Sequence, residues 1–242
     1  MSGNTSALFL NILIIAAIFV LNYFYQKNKF AFSLKCICSA AFALLGVINL
    51  LFAVAITQED TEFFILMSVG LVFAMLGDVF INKSFAIGAG FFALGHVGLT
   101  IAYSFLQGFN SRDVIIVGVI FLATAAFLLF APCVDFGSKT NKWICLSYSF
   151  IISVMLGKAT ANLISQVNAV NALISAGSLL FFFSDLMLVL NWFVGVGKWA
   201  ANACMGTYYP ALCFLAFSMY FKAFGIGKDF GCKPLHNENL FL

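Results

Sequence analysis

The sequence has few charged residues. Asp, Glu, Lys and Arg together make up 9% of its 242 residues, whereas a soluble domain carries about 25%. This scarcity excludes an ordinary soluble domain. A formal net charge of +3, spread over short connections, also provides no basic patch for nucleic acid. Only two histidines, His96 and His236, are present, which argues against a histidine-rich metal centre.

The cysteines do not suggest a metal site either. There are 7 of them, an odd number, and no pair has a zinc-type spacing with histidines nearby. Most lie inside apolar runs, where cysteine acts as a small hydrophobic residue. We therefore expect neither a metal nor another cofactor.

Long apolar runs dominate the chain, in which 63% of the residues are hydrophobic. Runs of about 20 residues are long enough to cross the hydrocarbon core of a bilayer. The sequence thus predicts an all-α polytopic membrane protein, with a bundle of eight transmembrane helices in residues 1–224 and a polar tail in 225–242. The predicted spans are Ala7–Tyr25, Phe32–Ile56, Phe63–Ile81, Phe85–Leu106, Val114–Ala131, Trp143–Ile164, Ala169–Phe193 and Ala201–Phe224. Because the connections are short, successive helices are expected to be antiparallel neighbours.

The expected location is an integral, multi-pass one, in the inner membrane of a bacterium or the endoplasmic reticulum of a eukaryote. The first apolar run has no positive residue before it and no clear cleavage site, so we interpret it as a retained helix. Lysines concentrate in the connections after odd-numbered spans, and the other connections hold only Arg112. The positive-inside rule then puts the odd-numbered connections in the cytoplasm and both termini outside, although the lysines of the tail favour the opposite orientation.

Two stretches, 70–78 and 177–185, match each other. Each is an apolar run that ends in a small residue followed by an aspartate, Asp78 in the first and Asp185 in the second. A carboxylate inside a membrane helix costs about 2.5 to 3.5 kcal/mol on insertion scales, which makes it a functional hypothesis. The alternative is that each aspartate lies near a helix end and reaches water. The match also allows a four-plus-four internal repeat.

Other polar residues of the spans fall at the same depth as the two aspartates. The residues in this half of the bilayer are Lys35, Asp78, Tyr148, Asp185 and Tyr208, and His96 lies near the midplane. We expect the carboxyl groups and His96 to face one polar cavity that opens to one side, because buried ionisable groups in lipid need partners or water. Alternatively, Lys35 extends to the headgroups, as we expect for Lys158 near the opposite interface, and the tyrosines belong to an aromatic belt.

An ordered set of short sequences carries a family resemblance. The pieces are Gly70–Asp78 with its Leu-Gly-Asp-Val ending, Gly90–His96, Tyr148 with Met155, Ala176–Leu186, Thr207–Tyr209, and Lys35 in span two. Together they resemble the YhhN-like lysoplasmalogenase family of integral membrane proteins. The chain departs from the family pattern at Cys36, where a proline is usual, and at Leu212, where a glutamine is usual.

The resemblance implies an ether-bond hydrolase that acts on a lysophospholipid within membrane lipid. Its substrate is lysoplasmalogen, and its products are a fatty aldehyde and glycerophosphocholine or glycerophosphoethanolamine. Cleaving a vinyl ether requires a proton donor and stabilisation of an oxocarbenium ion, for which two carboxyl groups are suited. The expected catalytic residues are Asp78, Asp185 and His96, and the expected substrate-binding residues are Lys35, Tyr148, Tyr208 and Ser184. The sequence leaves three points open: which aspartate is the acid, which headgroup is preferred, and what the oligomeric state is.

Two other functions remain as alternatives. A proton-coupled small-molecule transporter also uses paired intramembrane carboxylates, although the predicted polar residues cluster in one half of the bilayer. An intramembrane aspartyl protease has two membrane aspartates and a Pro-Ala-Leu motif like 210–212. Its Gly-x-Gly-Asp motif, however, requires glycine where Met75 stands.

Overall fold

The computed structural model of the protein describes residues 2–27, 32–57 and 60–227, and these residues form an all-helical bundle. The eight helices are α1 Ser2–Lys27, α2 Phe32–Ile56, α3 Thr61–Phe80, α4 Phe85–Leu106, α5 Ser111–Phe130, α6 Lys139–Ser165, α7 Ala169–Phe193 and α8 Lys198–Ala223. Most of the predicted tail, residues 228–242, lies outside the described residues.

Several helices begin at polar residues that satisfy the first backbone amides. Asn110 accepts from the amides of Arg112 and Asp113, and Asp113 in turn accepts from the amide of Asn110. Ser138 and Asn168 cap α6 and α7 in the same way, each accepting from the amide three residues on. These caps fix the helix starts that hydropathy alone locates only approximately.

Seven helices, α1 to α7, are long and apolar enough to cross a membrane, so the chain is a multi-pass integral membrane protein. The remaining helix, α8, has 26 residues but is less apolar. Its polar side chains include Tyr208, Tyr209 and Ser218, which are all buried. They are buried because α8 packs against α1, α2, α3 and α7.

The helices are not all packed against their neighbours in sequence, so the expectation of successive antiparallel neighbours is wrong at one place. Helix α4 packs against α3 and α6, and among the described helices α5 packs against α6 alone. Helices α3, α4, α6, α7 and α8 form a closed ring of packed pairs. The ring surrounds the centre of the molecule, with α5 outside it.

Aromatic side chains fill the centre of this ring. Phe92, Phe181 and Tyr208 meet edge to face, with ring centroids 5.4 to 6.0 Å apart. The His96 ring lies 4.6 Å from that of Phe181. These edge-to-face contacts join α4, α7 and α8 at the centre of the ring.

The two matched segments have equivalent packing roles. A Cβ added at Gly70 on α3 would lie 2.8 Å from Leu99 of α4, and one added at Gly177 on α7 would lie 2.8 Å from Leu215 of α8. In both cases the glycine lets its helix approach the next helix along the chain closely. This equivalence agrees with an internal repeat.

Candidate active site

A cavity of about 220 Å³ lies where α3 and α7 end and α2 and α8 begin. Five of the predicted site residues line it, namely Lys35, Asp78, Ser184, Asp185 and Tyr208. Asn82 and Asn191, which lie at or just beyond the ends of α3 and α7, also line it. The two aspartates therefore share one cavity. His96 and Tyr148 are not among its lining residues, and both contact Asp185 instead.

Asp78 forms a buried ion pair with Lys35. The ammonium lies 2.9 Å from Oδ1, and the two side chains are 2% and 4% exposed respectively. Ser39 donates to Oδ2 at 2.5 Å, and Tyr209 donates to the same oxygen at 3.1 Å. Both carboxylate oxygens thus have partners, which is what a buried charge needs to be tolerated in a low-dielectric interior.

In this half of the site the structure overturns one alternative and adds two residues, Tyr209 and Ser39, that the sequence analysis did not count among the site residues. Lys35 is 3% exposed, so the alternative in which it extends to the headgroups is wrong. The hydroxyl of Tyr209, not Tyr208, reaches Asp78, whereas Tyr208 donates to the carbonyl oxygen of Ala74 at 3.0 Å and presents its ring to the cavity. Ser39 was missed, although it lies one helical turn after Lys35 and therefore on the same face.

Asp185 contacts a tyrosine and a histidine in place of a lysine. The hydroxyl of Tyr148 lies 2.5 Å from Oδ2, and Nε2 of His96 lies 2.8 Å from that hydroxyl and 3.4 Å from Oδ2. No lysine or arginine among the described residues is within ion-pair distance of Asp185. The alternative in which Tyr148 belongs only to an aromatic belt is therefore wrong, since its hydroxyl turns inward.

These three side chains can pass a proton. His96 is fully buried, and its Nδ1 lies 3.1 Å from the sulfur of Met155, a weak acceptor. When Asp185 is ionised, Tyr148 donates its single proton to it and accepts from Nε2–H of His96. When Asp185 carries a proton, the direction of the hydrogen bond can reverse. Asp185 can therefore hold a proton next to the cavity.

Ser184 lines the cavity, and among the described residues no histidine bonds to its hydroxyl. It is 1% exposed, and its Oγ lies 3.4 Å from Sγ of Cys204. The sequence around it does not form a nucleophile elbow, and the structure pairs its hydroxyl with a thiol rather than with His96. Within the described ranges, no group of three or more His, Cys, Asp or Glu residues could hold a metal ion.

Lys158 does not extend to the headgroups as expected. Its side chain is fully buried, and its ammonium donates to the carbonyl oxygen of Gly108 at 2.8 Å and lies 3.3 Å from Asp113. It also lies 4.8 Å from the ring centroid of Phe109. The connection between α4 and α5 folds over this lysine, an arrangement that the sequence alone did not suggest.

Comparison with known families agrees with the resemblance seen in the sequence. The model of the YhhN family matches residues 38–219. The matched range covers well over half of the chain and includes all the candidate site residues except Lys35. No curated protein and no solved structure matches the chain.

Proposed function

The chain belongs to the YhhN family, and on that basis we propose that it is a lysoplasmalogenase, which hydrolyses the vinyl ether bond of alkenyl-glycerophosphocholine or alkenyl-glycerophosphoethanolamine. The observation that carries the proposal is the sharing of one cavity by Asp78 and Asp185, which have different partners. Asp78 has a cation in contact, whereas Asp185 has a tyrosine and a histidine. Two carboxyl groups in unlike surroundings can take unlike roles in one reaction.

In the proposed reaction Asp185 is the general acid. It gives its proton to the alkene carbon that is β to the ether oxygen, which leaves an oxocarbenium ion at the carbon bonded to that oxygen. Water adds to this cationic carbon and gives up a proton to Asp185, which now acts as the base, as in retaining glycosidases. The resulting hemiacetal collapses to a fatty aldehyde and frees the glycerol hydroxyl. One water is consumed, and Asp185 ends protonated as it began.

Asp78 and Lys35 have a supporting role in this proposal. The ionised Asp78 places a negative charge at the cavity wall, where it stabilises the oxocarbenium ion in a medium of low dielectric constant. Lys35 holds that charge in place and also lines the cavity, so its ammonium can meet the substrate phosphate. His96 and Tyr148 orient Asp185, while Tyr208 and Ser184 contact the substrate from the wall.

We further propose that α8 crosses the membrane as an eighth span. At about 1.5 Å per residue its 26 residues extend about 39 Å, enough to span the hydrocarbon core. It packs along α3 and α7, which are apolar enough to cross. Eight spans put both termini on one side, and we expect the protein in a bacterial inner membrane or a eukaryotic endoplasmic reticulum.

The decisive experiment is an activity assay in detergent without any ion gradient. Purified protein is incubated with alkenyl-glycerophosphocholine or alkenyl-glycerophosphoethanolamine, and aldehyde release is measured. The saturated alkyl ether and the acyl ester with the same chain are the controls, and neither should react, because neither has an alkene carbon to protonate. Folded protein that releases no aldehyde from either alkenyl substrate would refute the proposal and leave the transporter hypothesis as the stronger one.

The position of bond cleavage tests the mechanism. In oxygen-18 water the glycerophospho product should carry no label at its freed hydroxyl, because water adds to the alkenyl carbon and the glycerol oxygen keeps its own atom. Mass spectrometry of that product provides the measurement. A labelled glycerol hydroxyl would mean attack at the glycerol carbon, and the oxocarbenium route would have to be abandoned.

A further inference from the structure

A second cavity lies on the outer surface of the helix ring, between α4 and α6. It is a groove of about 510 Å³. Its floor on α4 consists of Ala86, Ala89, Gly90 and Ala93, and its wall on α6 includes Trp143 and Ile151. Trp143 is 66% exposed on a helix apolar enough to span a membrane. The groove therefore opens sideways to lipid rather than to water.

The groove is space that the protein leaves unfilled. A Cβ added at Gly90 would meet no atom within 4 Å. The neighbouring positions of α4, including Ile87, Phe91 and Leu94, carry large side chains. The small residues leave this space open, and its volume lies in the range of ligand pockets, about 300 to 1,000 Å³.

The groove lies next to the candidate active site. Ala89 and Tyr148 line both the groove and a narrow cleft of about 20 Å³ behind it. Asp185 and Phe92 line both that cleft and the cavity that holds Asp78. Tyr148 therefore stands between the groove and the carboxyl group of Asp185, and its hydroxyl lies 2.5 Å from Oδ2 of that carboxyl group.

A second lateral pocket borders Asp185 directly, but it is much smaller than the groove. It lies between α5, α6 and α7 and is lined by Asp185 and Tyr148, and its volume is about 40 Å³. This is far below the size of a ligand pocket. The groove between α4 and α6 is thus the larger of the two lateral approaches to this carboxyl group.

We propose that the groove between α4 and α6 holds the single hydrocarbon chain of the lipid substrate while the chain's reactive end lies at Asp185. This inference rests on the proposed function, since it identifies where the substrate's chain lies during the reaction. The chain is already in an apolar medium before it enters, so the groove gains little affinity from the hydrophobic effect. Its contribution is position: it directs the first carbons of the chain past Tyr148 to the acid.

Photo-crosslinking tests the groove without requiring catalysis. A lysophosphatidylcholine with a diazirine in the middle of its chain is added to the purified protein in detergent, and labelled peptides are mapped by mass spectrometry. We expect label on Ala86–Ala93 and Trp143–Ile151 that an excess of unlabelled lysophosphatidylcholine competes away. Label on α5 near Gly118 serves as the internal control, because contact there is with bulk detergent and lipid and should not be competed. If the label at the groove is absent or not competed, the groove proposal is wrong.

A matched pair of variants tests the effect on the reaction. Gly90→Phe fills the groove, whereas Gly118→Phe adds the same ring to α5, where a Cβ also meets no atom within 4 Å. With a long-chain alkenyl substrate, Gly90→Phe should lower kcat/KM at least about tenfold, since misplacement by 1 Å can cost a hundredfold. A four-carbon substrate should be turned over almost normally, and Gly118→Phe should affect neither. Equal loss on long and short chains, or no loss, would overturn the proposal.

The outcomes distinguish this inference from the proposed function. If no alkenyl substrate is hydrolysed while competed crosslinks appear in the groove, the hydrolase proposal fails and the chain-binding groove stands. If hydrolysis occurs and the crosslinks map to other helices, the hydrolase proposal stands and the groove proposal fails. Should Gly90→Phe not fold, as judged by size-exclusion chromatography, Ala93→Leu at the deeper end of the groove replaces it.

Discussion

Among the described residues two lysine–aspartate pairs are buried, one in each half of the bundle, and only one of them lines a cavity described above. Lys35 and Asp78 face the cavity shared with Asp185. Lys158 and Asp113 lie toward the opposite side and line none of the cavities described above. Both pairs are almost fully buried, so burial does not distinguish them. The difference lies in what surrounds each pair.

Nearby backbone groups form hydrogen bonds with both members of the pair of Lys158 and Asp113. The ammonium donates to the carbonyl of Gly108, and Asp113 belongs to the capping box at the start of α5. Around Lys35 and Asp78, in contrast, the partners are side chains of distant helices, and empty space remains beside them. A buried charge thus marks a site of structural importance, and only an adjacent cavity gives it access to a substrate.

The largest difference between the pairs should appear in turnover. Asp185→Asn keeps size and polarity but removes the proton donor, and Asp78→Asn removes the negative charge that stabilises the oxocarbenium ion, so each should lower kcat by about a hundredfold or more. Asp113→Asn is the matched control, because it changes a buried, paired aspartate away from the cavity, and its kcat per folded molecule should stay near normal. Initial rates of aldehyde release, normalised to folded protein, measure the effect. Near-normal turnover in a folded variant of Asp78 or Asp185 would remove that residue from the mechanism.

The next prediction concerns stability rather than turnover, and it tests the pair of Lys158 and Asp113. Lys158→Met leaves Asp113 buried without its cation, and breaking a buried pair in this way costs about 3 to 5 kcal/mol of folding free energy. Thermal unfolding in detergent should therefore show a clear decrease in Tm, while the kcat of the remaining folded protein is unchanged. The double variant Lys158→Met/Asp113→Leu should recover part of the loss. An unchanged Tm for Lys158→Met would mean that the pair does not hold α5 in place.

His96→Ala should have a smaller effect on turnover than the aspartate substitutions. Histidine contacts Asp185 at 3.4 Å and Tyr148 at 2.8 Å but does not line the cavity, so it orients the acid rather than reaching the substrate. We expect a decrease in kcat of about tenfold, below the range of a direct acid–base group. A loss as large as that of Asp185→Asn would assign the proton transfer to His96 instead.

The smallest expected effect tests how Asp78 is held. Ser39→Ala removes one donor to the Asp78 carboxylate, and a hydrogen bond to a charged group contributes about 1.5 to 3 kcal/mol. The expected result is a modest decrease in both Tm and kcat/KM. Ser153→Ala is the control, because that buried hydroxyl bonds only to the carbonyl of Ser149 on its own helix. Equal effects from the two serines would show that the contact with Asp78 has no special importance.

The sequence by itself determined the depth of residues in the membrane. Apolar runs predicted all eight helices, and counting residues along them put Lys35, Asp78 and Asp185 at one depth on one side. The structure brings those three side chains to one cavity. This succeeded because position along the membrane normal follows directly from residue number, at about 1.5 Å per residue in a helix.

Only the tertiary structure decided which side chains at a given depth meet. It put Tyr209 rather than Tyr208 on Asp78, buried Lys158 beside Asp113, and packed α4 against α6 instead of α5. Hydropathy does not encode these choices. Close packing at positions such as Gly70 and Gly177 decides which helices become neighbours and which faces they present. Lipid provides no hydrophobic driving force that would arrange helices within the plane of the membrane.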